Sequence, residues 1–281
     1  MEIVRQIAAL KTLRQSLQRN GKSLALVPTM GALHEGHLQL IRQARKENDV
    51  VIASIYVNPT QFNNPSDLEK YPRNLLADLE MLRREKVDIV FAPEDAEMYP
   101  KPAKLSFDFF ELEQVLEGAF RPGHFNGVAI VVSKLFHAVQ PDRAYFGQKD
   151  LQQVSIIHQL VEDLSFDIEI RTVPTVRESD GLAMSSRNLR LDEEQRLVAP
   201  ALYENLTIAK TELLNGKSWF ETKHTRLQAL NQLAVVQLEY LELIDLDGFR
   251  VAEAYNPASK QAICIAAYIG EIRLIDNILL G

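Results

Sequence analysis

Two histidines three residues apart, His34 and His37, lie inside the run Pro28–His37. The run follows a short apolar stretch and precedes an amphipathic one, so it is predicted to join a parallel strand to a helix. Gly31 and Gly36 remove side chains where the backbone must turn or approach a ligand. Helix N-terminal amides and two imidazoles together suit a polyphosphate whose charge increases during transfer. The alternatives are a helix cap with two incidental histidines, or a metal pair.

Two more polar runs follow predicted strands. Asn58 and Gln61 bracket a proline in Asn58–Phe62, and their amides can hydrogen-bond a hydroxyl or a carboxylate, although the run is also ordinary turn chemistry. Gly147–Asp150 combines a glycine that permits close approach, an aspartate that can accept from ribose hydroxyls, and Lys149, which offers a point charge to phosphate. Such a string also occurs in solvated loops.

Two further runs are harder to assign. Met184–Arg187 offers serine hydroxyls and a guanidinium that can surround a triphosphate. It is equally a plausible loop leading into a helix capped near Asp192. Arg121–Phe125 is either a flap over a site, with His124 as a contact, or a loop with an incidental histidine.

The overall composition limits the class of protein. The 281 residues include 31 Lys and Arg against 38 Asp and Glu, a net charge of −7, with 46% hydrophobic and 25% charged residues, as in folded soluble proteins. The acidic balance argues against binding nucleic acid through phosphate contacts. The single cysteine, Cys264, excludes an intramolecular disulfide, and its apolar neighbours predict a buried side chain. No apolar run approaches the roughly 20 residues needed to span a bilayer, so we expect a cytoplasmic protein without membrane association.

Strand-like and helix-like stretches alternate over the first two thirds of the chain. Apolar or β-branched runs predict strands, and helical spacing of apolar residues predicts helices. The predicted strands are 24–28, 50–57, 87–91, 143–146 and 168–173, and the predicted helices are 38–47, 75–86, 126–139 and 151–163. This alternation indicates βαβ units, and therefore an α/β fold with a parallel sheet and helices on both faces.

The pattern changes after Pro174. Two long helices are predicted at 192–216 and 218–233, followed by strands at 238–244, 261–268 and 272–275. Helices followed by strands with hairpin-like spacing indicate a smaller C-terminal α+β domain. We place the boundary near Val176 in a polar stretch, which gives domains at 1–176 and 177–281.

Several of these runs resemble one family. The run Val27–His37 resembles the His-x-Gly-His signature of the nucleotidyltransferase superfamily, and is similar to the pantoate–β-alanine ligase family in particular. Further resemblances follow in the family's order at Tyr56–Phe62, Arg121–Phe125, Phe146–Gln153 and Asp180–Asn188, and more weakly at Arg273–Asn277. The family usually has glutamate where this chain has Gln148, which leaves the role of that position open.

The resemblance implies a Rossmann-like nucleotide- and pantoate-binding domain and a smaller lid domain. It implies catalytic roles for His34, His37 and Lys149. The implied ATP contacts are Met30, Gly31, Ala32, Leu33, His34, Glu35, Gly36, His37, Gly147, Gln148, Lys149, Asp150, Val176, Met184, Ser185, Ser186 and Arg187. The implied contacts for pantoate and β-alanine are Gln61, Gln153 and Asn58. Mg²⁺ is implied to enter mainly with ATP, with Asp88 as a candidate protein ligand.

The resemblance implies a reaction in two steps, and it implies that the enzyme is a homodimer. The pantoate carboxylate attacks the α-phosphorus of ATP and releases pyrophosphate. The amine of β-alanine then attacks pantoyl adenylate, giving pantothenate and AMP. Because the substrate supplies the nucleophile, this reaction agrees with a sequence that contains no Gly-x-Ser-x-Gly elbow and no P-loop.

Two other functions stay open at this point. A nucleotidyltransferase that stops after nucleotide transfer, such as a cytidylyltransferase-type enzyme, would lack the amine-dependent second step. A non-catalytic nucleotide- or RNA-binding module could derive from the same fold. The net charge of −7 and the absence of a Lys/Arg cluster argue against RNA.

Overall fold

The computed structural model describes residues 1–280 and divides the chain into two units. The first unit contains residues 1–109, 121–148 and 153–174, and the second contains 110–120, 149–152 and the residues from Thr175 onward. The main division lies close to the predicted boundary at Val176. Two short segments of the N-terminal half nevertheless belong to the second unit, which a single cut in the sequence does not anticipate.

The strands and helices are labelled in chain order. The strands are β1 (Glu2–Val4), β2 (Leu24–Thr29), β3 (Val50–Ile55), β4 (Ile89–Phe91), β5 (Arg143–Gly147), β6 (Glu169–Val173), β7 (Val236–Asp245), β8 (Arg250–Val251), β9 (Gln261–Ile269) and β10 (Ile272–Leu280). The helices are α1 (Ile7–Arg19), α2 (Glu35–Glu47), α3 (Pro65–Glu69), α4 (Leu75–Arg84), α5 (Asp95–Met98), α6 (Leu116–Phe120), α7 (His124–Val139), α8 (Leu151–Asp163), α9 (Glu193–Val198), α10 (Ala201–Leu214) and α11 (Trp219–Asn231). No described helix is long and apolar enough to cross a membrane.

The sheet of the first unit is parallel throughout, in the order β1-β4-β3-β2-β5-β6. This confirms the predicted α/β fold. The strand order reverses between β2 and β5, and in open α/β sheets ligands bind outside the carboxyl ends of the strands at such a point. The run that contains His34 and His37 follows β2, which is the second strand of the chain because Glu2–Val4 precedes it.

Both faces of the central strands β2 and β3 are buried, as their near-continuous apolar sequences require, whereas the edge strands β1 and β6 are partly exposed. Val27 and Ala53 pack in one hydrophobic cluster with apolar residues of α2 and α4. Leu26 and Ile52 alternate with them along β2 and β3 and are equally buried, and α7 contacts β2. Helices therefore cover the sheet on both sides, as predicted.

The loop that joins β2 to α2 is held by a buried carboxylate. Gly31 and Ala32 have left-handed backbone angles, with φ of +80° and +48°. Asp78 in α4 accepts hydrogen bonds from the amides of Ala32 and Leu33 through its two oxygens, at 3.0 and 2.8 Å. A Cβ at position 31 would lie 2.9 Å from Asp78 Oδ2, so glycine is required there by space as well as by φ.

The second unit contains an antiparallel sheet in the order β10-β9-β7-β8. Helices α10 and α11 cover one face, where Leu206 and Trp219 pack against Leu241 and Ile265. This confirms the smaller α+β unit. Segment 110–120 covers the opposite face, where Leu116 packs in one cluster with residues of β7 and β9.

Cys264 lies in β9 within this second cluster and is buried, as predicted. Burial raises the pKa of its thiol well above the ordinary range, and nearby carboxylates add to the rise. The thiol therefore behaves as a small apolar group rather than as a nucleophile.

The predicted helix over 192–216 is wrong, because the structure has two helices there. Helix α9 ends at Val198, and α10 begins at Ala201 after Pro200. Proline has no amide hydrogen to donate to the carbonyl four residues earlier, so the ladder of hydrogen bonds is interrupted at Pro200.

A buried charge cluster fastens segment 110–120 to the sheet of the second unit. Arg273 in β10 donates to both carboxylate oxygens of Glu117, at 2.8 and 2.7 Å, and also to Glu239. Tyr240 adds a hydrogen bond from its hydroxyl to Glu117 at 2.8 Å. Glu239 lies at a β-bulge of β7, which accounts for its place beside its neighbour Tyr240 in the same cluster.

We expect Arg273→Met to lower the free energy of unfolding by about 3–5 kcal/mol, because it leaves the buried carboxylate of Glu117 and the partly buried carboxylate of Glu239 without their cation. Urea denaturation followed by the fluorescence of Trp219 measures this, since the only tryptophan lies in the same unit. The control is Lys223→Met, which removes the more exposed pair with Glu242 and should cost about 0–1 kcal/mol. Equal losses in the two variants would contradict the structural role of the cluster.

We expect Asp78→Asn to destabilise the first unit by about 1–3 kcal/mol, since one of the amides at Ala32 and Leu33 loses its acceptor. Hydrogen exchange should accelerate at these two amides before it does elsewhere. Glu80→Gln is the matched control, because Glu80 is an exposed acid of the same helix and its change should stay within about 0.5 kcal/mol. Unchanged protection of both amides in Asp78→Asn would show that the carboxylate does not hold the loop.

Candidate active site

The two histidines of the run cap the N-terminus of α2. His34 Nδ1 accepts from the Gly36 amide at 3.2 Å, and His37 Nδ1 accepts from the His34 amide at 3.3 Å. The ring centroids are 4.1 Å apart. Because each Nδ1 is an acceptor, the proton of each neutral ring lies on Nε2, so both rings present an N–H donor. The helix cap and the candidate catalytic pair are therefore the same two residues.

The helix start carries little uncompensated negative charge. An aspartate cap would place a carboxylate there, whereas the imidazoles cap without one. The acid of the first turn, Glu35, pairs with Arg42, which also binds Glu85. The two carboxylates, Glu85 foremost, raise the pKa of Arg42. The positive end of the helix dipole is thus left available to an anion.

Gln61 lies beside the loop after β2. Its Nε2 contacts Met30 Sδ at 3.4 Å, and its Oε1 accepts from Asn58 Nδ2 at 3.0 Å. Both residues follow strands at the same edge of the sheet, as the sequence predicted. The structure thus brings together Met30, Asn58 and Gln61.

Asn58 is almost fully buried, and its amide is fully used inside the protein. Its Nδ2 donates to Gln61 and to the Gly127 carbonyl, and its Oδ1 accepts from Thr60 and from Tyr99 at 3.0 and 2.9 Å. Burial raises the pKa of Tyr99, which keeps the hydroxyl protonated as a donor. These contacts contradict the expectation that Asn58 binds substrate, because no donor or acceptor capacity is left; it orients Gln61 instead.

The Arg121–Phe125 run is anchored at its end rather than being an incidental loop. His124 is the first residue of α7, is 5% exposed, and donates from Nδ1 to the Gln61 carbonyl at 2.8 Å. Arg121 donates to the same carbonyl at 3.4 Å. Gly127 lets the helix approach closely, since a Cβ there would lie 2.4 Å from the Thr60 carbonyl oxygen.

A cavity of about 400 Å³ adjoins the loop at Met30 and Gly31. Its lining includes Tyr56, Arg73 and Asp78, from the region beyond the carboxyl ends of β3 and β4. The position agrees with the rule that open parallel sheets bind ligands at this edge.

Within the Gly147–Asp150 run, Gly147 ends β5 and Gln148–Asp150 form a 3₁₀ turn directly after it. Lys149 Nζ lies 3.7 Å from Asp150 Oδ1, and the lysine side chain is only 17% exposed. The Lys149 carbonyl accepts from Asn277 Nδ2 at 2.9 Å. The lysine backbone is therefore fixed, while its charge is only loosely paired.

Val176 and the Met184–Arg187 run lie at the two ends of one hairpin. The Met184 amide donates to the Val176 carbonyl at 3.0 Å. Ser185 Oγ then accepts from the Arg187 amide at 3.2 Å and begins a 3₁₀ turn. Ser186 is buried. The run is thus an ordered continuation of the hairpin and still precedes a helix capped by Asp192, as the alternative interpretation held.

Gln153 lies half-buried in α8, and the preceding Gln152 is buried and donates to the carbonyls of Leu112 and Val115. The adjacent glutamines therefore differ: Gln152 is committed to the fold, and Gln153 stays the candidate for substrate contact.

Asp88 lies at the wrong edge of the sheet for a metal ligand. It precedes β4, accepts from the Val51 amide at 2.7 Å and pairs with Arg45, all at the amino ends of the strands. These contacts contradict the expectation that Asp88 binds Mg²⁺, because the candidate site lies at the carboxyl ends. Among residues 1–280, no group of three or more His, Cys, Asp or Glu side chains is arranged to hold a metal ion.

The sequence interpretation gave no role to two residues that hold the backbone of candidate site segments. Asp78 is one, although an acid on the apolar stripe formed by Leu75, Leu79 and Leu82 is a readable signal. The other is Asn277, which ends the weakly resembling run Arg273–Asn277, but its contact with Lys149 joins positions far apart in the chain and could not be read from that run.

Comparison with known proteins identifies one family. Residues 2–279 match the family model of pantoate–β-alanine ligase. The chain is 47% identical over 278 residues to the pantothenate synthetase of Cytophaga hutchinsonii, which covers 98% of both chains.

Solved structures give the same result. The pantothenate synthetase of Thermus thermophilus superposes with a TM-score of 0.91 at 40% identity, covering 99% of both chains. A pantoate–β-alanine ligase from Francisella tularensis, crystallised with β-γ ATP and β-alanine, has a TM-score of 0.82 at 37% identity, covering 99% of this chain and 97% of the other. With a family model that spans nearly its whole length, and with these relatives, the chain belongs to the pantoate–β-alanine ligase family.

Proposed function

We propose that this chain joins pantoate to β-alanine with ATP in two steps. A pantoate carboxylate oxygen attacks the α-phosphorus, the bond to the bridging oxygen of the leaving group breaks, and pyrophosphate departs. The amine of β-alanine then attacks the acyl carbon of pantoyl adenylate, and AMP leaves with the carbon–oxygen bonding pair. The family membership supports the overall reaction, and a relative crystallised with ATP-like and β-alanine ligands supports both substrates.

The paired imidazoles at the start of α2 carry the proposal. His34 and His37 each accept a backbone N–H at Nδ1, which fixes the ring and places the N–H of a neutral imidazole at Nε2. Two oriented donors beside the helix N-terminus stabilise charge that develops on phosphate oxygens during adenylate formation. Neutral imidazoles donate hydrogen bonds without adding a full positive charge. This suits a site that must bind ATP and then release pyrophosphate.

Further ATP contacts are proposed on the resemblance. Lys149 would bind phosphate as a point charge. Arg187, Ser185 and Ser186 would donate hydrogen bonds to the leaving pyrophosphate as negative charge develops on it. The other proposed contacts are Met30, Gly31, Ala32, Leu33, Glu35, Gly36, Gly147, Gln148, Asp150, Val176 and Met184.

Gln61 and Gln153 are proposed to hold pantoate, because an amide can donate to a carboxylate and accept from a hydroxyl. The structure supports this for Gln61, whose orientation is set by Asn58 and by the backbone contacts of His124 and Arg121. We propose that Gln61 also faces the incoming amine of β-alanine.

We propose that Mg²⁺ enters bound to the phosphates of ATP. The described donor set fits this mode, because both oxygens of Asp78 are used by backbone amides, and Mg²⁺ commonly keeps several waters and few protein ligands. The ion would supply neutralisation of phosphate charge, and no particular side chain of this chain is assigned to it.

A homodimer in the cytoplasm is proposed on the family resemblance alone. Sedimentation equilibrium of the purified chain tests the first part, and a monomer at micromolar concentration would contradict it.

Product analysis tests the function. Incubation with ATP, pantoate and labelled β-alanine should give pantothenate, AMP and pyrophosphate in equal amounts. Formation of ADP would refute the adenylate route. Release of pyrophosphate without label in the product would instead favour a nucleotidyltransferase that stops after the first step.

We expect His37→Ala and Lys149→Ala each to slow adenylate formation by roughly a hundredfold or more, since loss of one oriented donor costs about 2.7–4 kcal/mol of transition-state stabilisation. Stopped-flow measurement of the first turnover reports this rate. His224→Ala and Lys223→Ala in α11 are matched controls outside the proposed site and should react at the normal rate. A rate within a few-fold of wild type for either site variant would remove that residue from the mechanism.

A further inference from the structure

Two adjacent buried residues of β10, Asp276 and Asn277, have polar side chains directed into the second unit. They are 5% and 2% exposed. Asp276 receives two hydrogen bonds from Arg177, Nη1 to Oδ2 at 2.6 Å and Nη2 to Oδ1 at 2.9 Å. The same guanidinium donates to the Gly181 carbonyl at 3.1 Å and stacks on the Tyr203 ring at 3.5 Å. Arg177 is therefore fixed in both position and orientation.

Arg177 lies in the hairpin that carries the Met184–Arg187 run. It pairs with Ala183 across the hairpin, and the flanking pair Val176–Met184 has a hydrogen bond of 3.0 Å. Ser185 follows directly. Because Asp276 holds Arg177, the place at which the run begins depends on that carboxylate.

Asn277 holds the second segment. Its Nδ2 donates to the Lys149 carbonyl at 2.9 Å. The backbone amide of Asn277 in turn donates to Asp276 Oδ1 at 2.7 Å, and its carbonyl accepts from Arg177 Nη2 at 3.2 Å. One hydrogen-bond network therefore connects the hairpin to the 3₁₀ turn that contains Lys149, through two consecutive residues of β10.

Stability alone is a weak explanation for this network. Burial raises the pKa of Asp276, and Arg177 opposes that rise without cancelling it, so the ionised carboxylate is costly to bury. Well-packed apolar residues often replace a buried ion pair with no loss of stability. A bidentate pair specifies geometry, however, which an apolar contact does not.

We propose that Asp276 and Asn277 are positioning residues that hold Lys149 and the Met184–Arg187 run in one fixed geometry for phosphate contact. The inference rests on the proposed function, since it assigns the network to the adenylation step. After pyrophosphate has left, β-alanine attacks the acyl carbon. This step no longer needs either segment to stabilise negative charge on the departing phosphates. The two half-reactions should therefore respond differently to loss of the network.

The test measures the half-reactions separately in the full-length protein. Asn277→Leu removes the donor to Lys149 while keeping a side chain that branches at Cγ, and Asp276→Asn weakens the bidentate pair while keeping its shape. Pantoate-dependent exchange of labelled pyrophosphate into ATP should slow by roughly tenfold to a hundredfold, since a 1 Å misplacement costs about a hundredfold. Reaction of supplied pantoyl adenylate with β-alanine should stay within about twofold of wild type.

Lys210→Met is the matched control. It removes a side-chain hydrogen bond of 2.8 Å to the Leu279 carbonyl of the same strand, away from both segments, and should leave both half-reactions normal. Trp219 fluorescence checks that each variant is folded.

Equal slowing of both half-reactions, or normal exchange in both Asn277→Leu and Asp276→Asn, would overturn the positioning role while leaving the proposed function intact. Absence of pantoate-dependent exchange in the wild-type protein would overturn the adenylate route, and the positioning role with it. If Asn277→Leu fails to fold, the shape-preserving Asp276→Asn decides between these outcomes.

Discussion

The backbone after β2 turns through two left-handed residues, and its buried amides need an acceptor that the loop itself lacks. Asp78 provides one from another helix, with one oxygen for Ala32 and one for Leu33. This arrangement holds the turn by which the chain leaves the strand and starts α2 within a few residues. The orientation of the two imidazoles follows, because they cap the helix whose first turn the carboxylate has placed. A carboxylate on another helix therefore decides where the proposed phosphate donors lie.

The same principle explains how an acidic chain could present the proposed anion site. The chain has a net charge of −7, yet Asp78 is engaged with amides, and Glu35 and Asp276 with guanidinium groups. Each of these carboxylates stabilises the structure of its own unit through these contacts. The cost of burying such groups is offset by hydrogen bonds to backbone amides or cations that would otherwise also be unpaired.

Local pattern predicted much of the fold, and long-range contacts account for what it missed. The span of α8, Leu151–Asp163, and the parallel strands follow from periodicity, whereas Glu2–Val4 is too short and too exposed to have a pattern. At the site, residue type suggested Asp88 and Asn58 as ligands. Asp88 lies at the opposite edge of the sheet, and the hydrogen-bonding groups of Asn58 are all used inside the protein. Neither property can be read from the local sequence.

Cys264 gives the chain a practical property. The sequence has no other cysteine, and burial keeps this thiol protonated within the second unit. The thiolate, rather than the thiol, attacks alkylating reagents, so the folded protein should present almost nothing that reacts with them. A cysteine introduced on the surface would then be the sole reactive thiol. A fluorophore or a spin label can therefore be attached at one chosen position, in either unit, without first replacing the native cysteine.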